Sequence, residues 1–467
     1  MTLSSLTRAC LLLTASGALA APPNIVLIMV DDLGPEWISS YGGEGIETPN
    51  IDKLAAGGMV FLNAYSMPQC TPTRVTLLTG QYPFRHGWTN HWDVPRWGAG
   101  CHFDPASNPS VARLLREAGY ATAIAGKWQI NDFRVQPGVL NEHGFDEWAV
   151  WTGGEGGNPA SDRRYWDPYI YTSKSASRTY EGAFGPDIYN EFLIDFVERH
   201  KDGPMFLYYP MALTHGPLVA TPHEPFAETR MERHKAMVRY TDYLVGRLVR
   251  ALDDAGIRDN TIVIFTTDNG SSRGITGRMN GRAVQGGKGR LTENGPRQPF
   301  IANGPGLVPA GVTTEALTDF SDLLPTFCEL SGAQVPEDFE VDGRSIADVL
   351  LGKRADGPRQ WMLAMGFGPA TLDDRGVRGV LDYAPRVIRD KRHKVHVHDG
   401  MVTEFYDLRE DPWEERNLVG TAVSEHIRAL AKLRLIVASM PERDARPRYV
   451  ALPPQPWDRK RESVERR

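Results

Sequence analysis

Apolar positions along the chain fall into two patterns. From Asn24 to Val30 the run Ile25-Val26-Leu27-Ile28-Met29-Val30 is unbroken, rich in β-branched residues and without a period of two. That reads as a strand buried on both faces of a parallel sheet. Tyr120–Ala125, Met205–Tyr209 and Thr261–Thr267 repeat the pattern, and Pro299-Phe300-Ile301 is a shorter, proline-bounded strand. Helical spacing occupies the intervals: Ser110 to Ala118 closed by Gly119, Pro186 to Arg199, and Arg230 to Ala255 stopped by Gly256. A short helix starts at Pro49 with Thr48 as N-cap and ends at Gly57-Gly58. Strands alternating with helices predict an α/β fold, a large mixed, mostly parallel sheet sandwiched by helices.

Beyond Gly343 the pattern changes. Trp361–Phe367, Ala384–Ile388, Lys394–Val397 and Phe405–Leu408 read as short strands, and Ser424–Ile436 as a helix. This predicts a large α/β domain over residues 21–343 and a smaller C-terminal α+β domain with an antiparallel sheet over 344–442. A basic Pro/Arg-rich tail, 443–467, follows. Trp148 to Tyr171, with Trp151, Arg163, Arg164 and Trp166, reads as a long loop bordering a site. At the other end, Arg8 precedes an apolar run from Ala9 to Ala20 that is too short to span a bilayer and ends in small residues. Residues 1–20 therefore read as a cleaved signal, and the mature protein as exported, periplasmic or secreted, with no membrane span.

Charge and cysteine content narrow the chemistry. A net charge of −6 and a pI near 6.1 argue against a nucleic-acid partner, so an anionic substrate must be met by locally placed Lys and Arg. Without the signal the cysteines are Cys70, Cys101 and Cys328, an odd number for an oxidising compartment. At least one stays unpaired or is modified, and whether Cys101 and Cys328 pair is open at this level.

Ligands gather beyond the carboxyl ends of strands in such sheets. The apolar runs end in Asp31-Asp32, in Lys127, in His215 five residues past its strand, and in Asp268-Asn269. Taken singly, each is an ordinary solvated turn, surface lysine or structural histidine. Taken together they meet at one edge. Two carboxylates about 4 Å apart repel by roughly 4 kcal/mol at an effective dielectric near 20, so they share a cation or stay solvated. Asp31, Asp32, Asp268 and Asn269 offer oxygen only, which suits Ca²⁺ or Mg²⁺ rather than zinc. Lys288 stands in the glycine-rich Gly286-Gly287-Lys288-Gly289. In Cys70-Thr71-Pro72-Thr73-Arg74, the proline marks a helix start with Cys70 just before it, where exposed N–H groups and Arg74 favour an anion. The set describes a cation-centred pocket for a tetrahedral oxyanion ester.

Cys70-Thr71-Pro72-Thr73-Arg74 with Leu78-Thr79-Gly80 resembles the signature of the type I sulfatases of the alkaline phosphatase superfamily. The likeness extends to Val30-Asp31-Asp32-Leu33-Gly34, Gly126-Lys127-Trp128, His215-Gly216-Pro217, Thr267-Asp268-Asn269-Gly270, and Tyr406-Asp407-Leu408 with Asp411-Pro412. The resemblance implies hydrolysis of sulfate monoesters, an alkaline phosphatase-like fold, and oxidation of Cys70 to formylglycine by a maturation enzyme. It implies Ca²⁺, with Mg²⁺ as the alternative, held by Asp31, Asp32, residue 70, Asp268 and Asn269. Lys127 and Lys288 would hold sulfate oxygens, Arg74 would position the nucleophile, and His215 would protonate the departing alcohol, a role that needs it charged. Gln129 departs from the pattern, since the family usually has histidine there and glutamine cannot titrate. The neighbouring readings are a formylglycine-dependent phosphonate monoester or phosphodiester hydrolase and a catalytically silent binder of sulfated glycans. Arg163, Arg164 and tryptophans 88, 92, 97, 151 and 166 suggest a polar, carbohydrate leaving group and fit a role capping the core nearly as well; the substrate expected is a sulfated carbohydrate or an aryl sulfate.

Overall fold

The computed structural model describes residues 21–89, 101–152, 163–366, 370–373, 376–379 and 381–451. Residues 1–20, expected to be a signal, lie outside them, as do Trp92, Trp97, part of the 148–171 segment and residues 452–467.

Ten strands form one sheet. Their order is Val312–Asp319, Met59–Tyr65, Phe300–Asn303, Thr261–Thr267, Asn24–Val30, Met205–Pro210, Ala121–Lys127, Glu147–Trp151, Tyr169–Thr172, Ser175–Thr179. Phe300–Asn303 and Tyr169–Thr172 run against the others. The sheet is thus mixed and mostly parallel, as the alternation of runs predicts.

The unbroken apolar strands follow from their position. Along Asn24–Val30, Ile25, Leu27 and Met29 enter one core and Val26, Ile28 and Val30 the other. Helices Cys70–Thr79, Val111–Glu117 and Leu323–Ser331 cover the first face; Pro49–Ala56, Gly185–His200 and Arg230–Asp254 cover the second. Arg230–Asp254 begins with a capping box in which Thr229 and Glu232 exchange hydrogen bonds. Thr48 does precede the Pro49 helix, but its hydroxyl faces Ser39 and Asp52 instead of capping.

Where the backbone of one strand presses on another, only glycine fits. Gly126, the residue before Lys127, has φ 122°, and a Cβ there would lie 2.1 Å from Pro210 O. Gly126→Ala is expected to destabilise the fold by about 2–4 kcal/mol, measurable as a lower urea midpoint at unchanged slope.

The C-terminal sheet is antiparallel, in the order Met362–Met365, Arg386–Arg389, His393–His398, Met401–Asp407, with helix Ser424–Ala438 packed on it. Two buried charged groups tie it to the large sheet. Arg359 pairs with Asp319 at 3.3 Å and with Asp322, and donates to Tyr82 Oη at 2.7 Å. Glu293 takes Arg389 at 2.8 Å and Lys394 at 3.1 Å. Tyr449–Ala451 straps back onto Cys101–Phe103. Cys328 is a buried free thiol, so it forms no disulfide with Cys101.

Candidate active site

The strand ends do converge. Asp31 and Asp32 follow Asn24–Val30, Asp268 and Asn269 follow Thr261–Thr267, Lys127 closes Ala121–Lys127, and His215 lies beyond Met205–Pro210. These three strands and Ala121–Lys127 are consecutive neighbours in the sheet. Asp32 and Gln129, just past their strands, adopt left-handed backbone with φ 58° and 66°. Such conformations cost about 1–3 kcal/mol each and gather at functional sites. Lys288 arrives on its glycine loop, where a Cβ on Gly287 would meet Asn294 O at 2.3 Å.

Cys70 is the first residue of its helix, with Gln69 as N-cap, so it lies inside the helix start and not before it. The anion-favouring position is kept, because the first-turn N–H groups still lack intrahelical acceptors. The Cys70 thiol donates to Gln129 Oε1 at 3.8 Å. Gln129 therefore touches the candidate nucleophile. Arg74, one turn on and 1% exposed, donates Nη2 to Asp31 Oδ2 at 3.1 Å and Asp268 Oδ2 at 3.0 Å, and Nη1 to Lys127 O at 2.7 Å. Lys127 Nζ lies 2.6 Å from Asp31 Oδ2, and Lys288 Nζ 2.6 Å from Asp32 Oδ1. Asn269 Nδ2 donates to Asp32 Oδ1 at 2.8 Å, and the Asp32 N–H to Asp268 Oδ1 at 3.2 Å.

Three buried carboxylates compete for this positive charge. Burial opposes ionisation of Asp31, yet Lys127, His215, Arg74 and Lys288 more than offset it and hold its carboxyl well below the usual range. Burial, then the charge of Asp31, pushes Asp268 well up. Burial also raises Asp32 against the attraction of Lys288. The oxygen set fits a divalent cation on a direct observation: Asp31 Oδ1 and Asn269 Oδ1 are buried without a hydrogen-bond partner. Donor atoms of Asp31, Asp32 and His215 also lie within 4.8 Å of one another.

His215 Nε2 faces Asp32 Oδ2 at 3.7 Å, and its Nδ1 lies 2.7 Å from Gly216 O and 3.2 Å from Arg164 Nη1. Burial, then Lys288 and Lys127, push its pKa well down.

Sequence patterns did not reveal Tyr165, whose Oη lies 2.6 Å from Ala212 O and 2.5 Å from His215 O and so pins the histidine loop. Nor did they tie Arg164 to His215, since the two are 51 residues apart. Of the aromatic residues expected around the site, Trp88 and Trp151 are buried in the two cores and Trp166 is exposed.

The chain is similar to known proteins along most of its length. The sulfatase family profile matches residues 23–333, and that of the N-sulphoglucosamine sulphohydrolase C-terminal region matches 287–440. Human N-acetylgalactosamine-6-sulfatase is 32% identical over 91% of this chain and 86% of its own length. Human arylsulfatase A is 32% identical over 93% of this chain and 91% of its own. Among solved structures, Ps i-CgsB in complex with k-i-k-neocarrahexaose superposes with TM-score 0.73 at 25% identity, covering 92% of this chain and 95% of that one. With the family profile covering two thirds of the sequence and these relatives aligned along nearly all of it, the chain belongs to the sulfatase family, the hydrolases of sulfate esters.

Proposed function

We propose that the protein hydrolyses the sulfate monoester of a carbohydrate or aryl alcohol, using residue 70 as the nucleophile after its oxidation to formylglycine. The observation that carries the reading is the placement of Cys70 at a helix N-terminus in contact with Gln129, with Lys127 and Lys288 paired to an acidic set that has two unpartnered oxygens. Formylglycine would supply a hydrated aldehyde oxygen for attack on sulfur in place of a thiol. Ca²⁺, or Mg²⁺ in its stead, would be held by Asp31, Asp32, Asp268, Asn269 and residue 70, and would supply charge to the sulfate oxygens.

The remaining work falls to the chain. Lys127 and Lys288 bind the sulfate, and such preorganised charge is usually the largest catalytic contribution. Arg74 fixes the first turn that carries residue 70 to Asp31 and Asp268. His215 donates its proton to the departing alcohol oxygen, the bound anion favouring the charged imidazole against burial and the charges of Lys288 and Lys127. Gln129 hydrogen-bonds residue 70 but takes no proton, so another base serves the release of sulfate. The names of the relatives and the oligosaccharide bound in the solved structure support a sulfated carbohydrate or an aryl sulfate. We also place the mature protein outside the cytoplasm, periplasmic or secreted, after maturation by a formylglycine-generating enzyme. Among the described residues no helix is long and apolar enough to cross a membrane.

Rates on 4-nitrophenyl sulfate and bis(4-nitrophenyl) phosphate test the reading. The sulfate is expected to be preferred by about 100-fold or more in kcat/KM, some 2.7 kcal/mol of differential transition-state binding. Preference for the diester would make the protein a phosphodiesterase instead.

A further inference from the structure

Arg164 is 2% exposed, yet among the described residues no carboxylate lies within ion-pair distance of its guanidinium. Arg74 and Arg359, buried to a similar degree, are each paired with two carboxylates. The Arg164 guanidinium lies 4.1 Å over the Trp151 ring, its Nε is buried with no acceptor, and Nη1 sits 3.2 Å from His215 Nδ1. That last contact competes with a shorter one. If His215 Nδ1 carries a proton and donates it to Gly216 O at 2.7 Å, it has no lone pair for Arg164. Among the described residues the guanidinium then has neither a counter-charge nor an acceptor, a costly state for a buried cation that proteins keep where it serves binding or chemistry.

Its position indicates what it binds. His215 Nε2 faces Asp32 and Nδ1 faces Arg164, so Arg164 lies across the imidazole from the acidic set. A histidine that protonates the departing oxygen must border the alcohol portion of the substrate. We propose that Arg164 receives a second acidic group, a carboxylate or a further sulfate, carried by that alcohol portion. The inference rests on the sulfatase reading above and narrows its substrates to those with two acidic groups. A guanidinium suits the task because its planar fork pairs bidentately with carboxylate or sulfate, and stacking on Trp151 fixes the plane.

Three aryl sulfates test this: 4-carboxyphenyl sulfate, its methyl ester, and hydroquinone disulfate, with the meta isomers of each. The wild-type enzyme is expected to favour an acidic substrate over the methyl ester by about 10- to 100-fold in kcat/KM, mostly through KM. Arg164→Gln and Arg164→Met are expected to bring that ratio close to one, and Arg164→Lys to retain part of it. The faster of the carboxylate and disulfate arms identifies which acid is read. Arg164→Met is also expected to raise Tm, because an unpaired buried charge is replaced by an apolar chain of similar reach. Equal losses on charged and uncharged substrates, with a lowered Tm, would overturn the proposal and leave Arg164 as a positioning residue for His215. Active wild-type enzyme indifferent to the second charge would overturn it too. Wild-type enzyme inert on every sulfate ester, the methyl ester included, would overturn the sulfatase reading itself.

Discussion

Cys70→Ala is expected to lower kcat/KM on 4-nitrophenyl sulfate by about 10⁴-fold or more while leaving the fold in place. The side chain is buried and its helix is held by Val75, Leu77 and Leu78 in the core, so removing one sulfur atom leaves only a small cavity, worth roughly 1 kcal/mol. Thermal unfolding should therefore shift little while turnover vanishes, which separates lost chemistry from lost structure. The same residue distinguishes two nucleophiles. Protein made in a host with the maturation system should give a residue-70 peptide with the mass loss of a thiol converted to an aldehyde, and should turn over sulfate. Protein that retains the thiol should be nearly inert. Full activity from the thiol form would show that a thiolate attacks directly, and a persistent thiol in the native source would defeat the formylglycine mechanism.

Asp31-Asp32, Lys127 and Asp268-Asn269 were legible in the sequence through one shared property: each lies at the end of a strand buried on both faces. Ile25 to Val30 carries no polar position, so Asp31-Asp32 stands out as the point where a buried strand meets solvent or an ion. The runs ending at Thr267 and Lys127 behave alike. Strands at the sheet margins gave no such signal. Met59–Tyr65 includes the half-buried Leu62 and Asn63, and Ser175–Thr179 is largely exposed and polar, so neither has the unbroken apolar character of the centre. Glu147–Trp151 and Tyr169–Thr172 lie within the segment that reads as a loop, because aromatic and glycine residues hide their pattern. The helix at Cys70 shows a subtler limit. Pro72 correctly marks a first turn, but proline is tolerated throughout that turn, and the helix starts two residues earlier. Arg164 was visible only as one of two adjacent arginines. That no described carboxylate pairs with it is a property of what surrounds it in space, which no local pattern records.

Removal of either Asp31 or Asp268 is expected to abolish stoichiometric Ca²⁺ binding, read by calorimetry and metal content, and to lower turnover by about 10³-fold or more. The two variants should differ in stability. Asp31 Oδ2 is the shared partner of Lys127 at 2.6 Å and Arg74 at 3.1 Å, so Asp31→Ala leaves two buried cations facing one another. Breaking a buried pair from one side costs about 3–5 kcal/mol, and a marked fall in Tm should follow. Asp268 shares only Arg74, which keeps Asp31, and burial together with the charge of Asp31 already pushes its carboxyl toward the neutral form. Asp268→Asn, close to isosteric with the protonated acid, should therefore unfold at nearly the wild-type temperature while still losing the metal. Asn269→Ala removes a neutral donor whose Oδ1 has no protein partner, and is expected to weaken Ca²⁺ by about 10- to 100-fold without abolishing it. Unchanged metal content in Asp31→Ala or Asp268→Asn would show that the cation sits elsewhere. The ordering of the three variants in affinity, set against their different ordering in stability, distinguishes a metal-holding cluster from a network of ion pairs that merely stabilises the sheet edge.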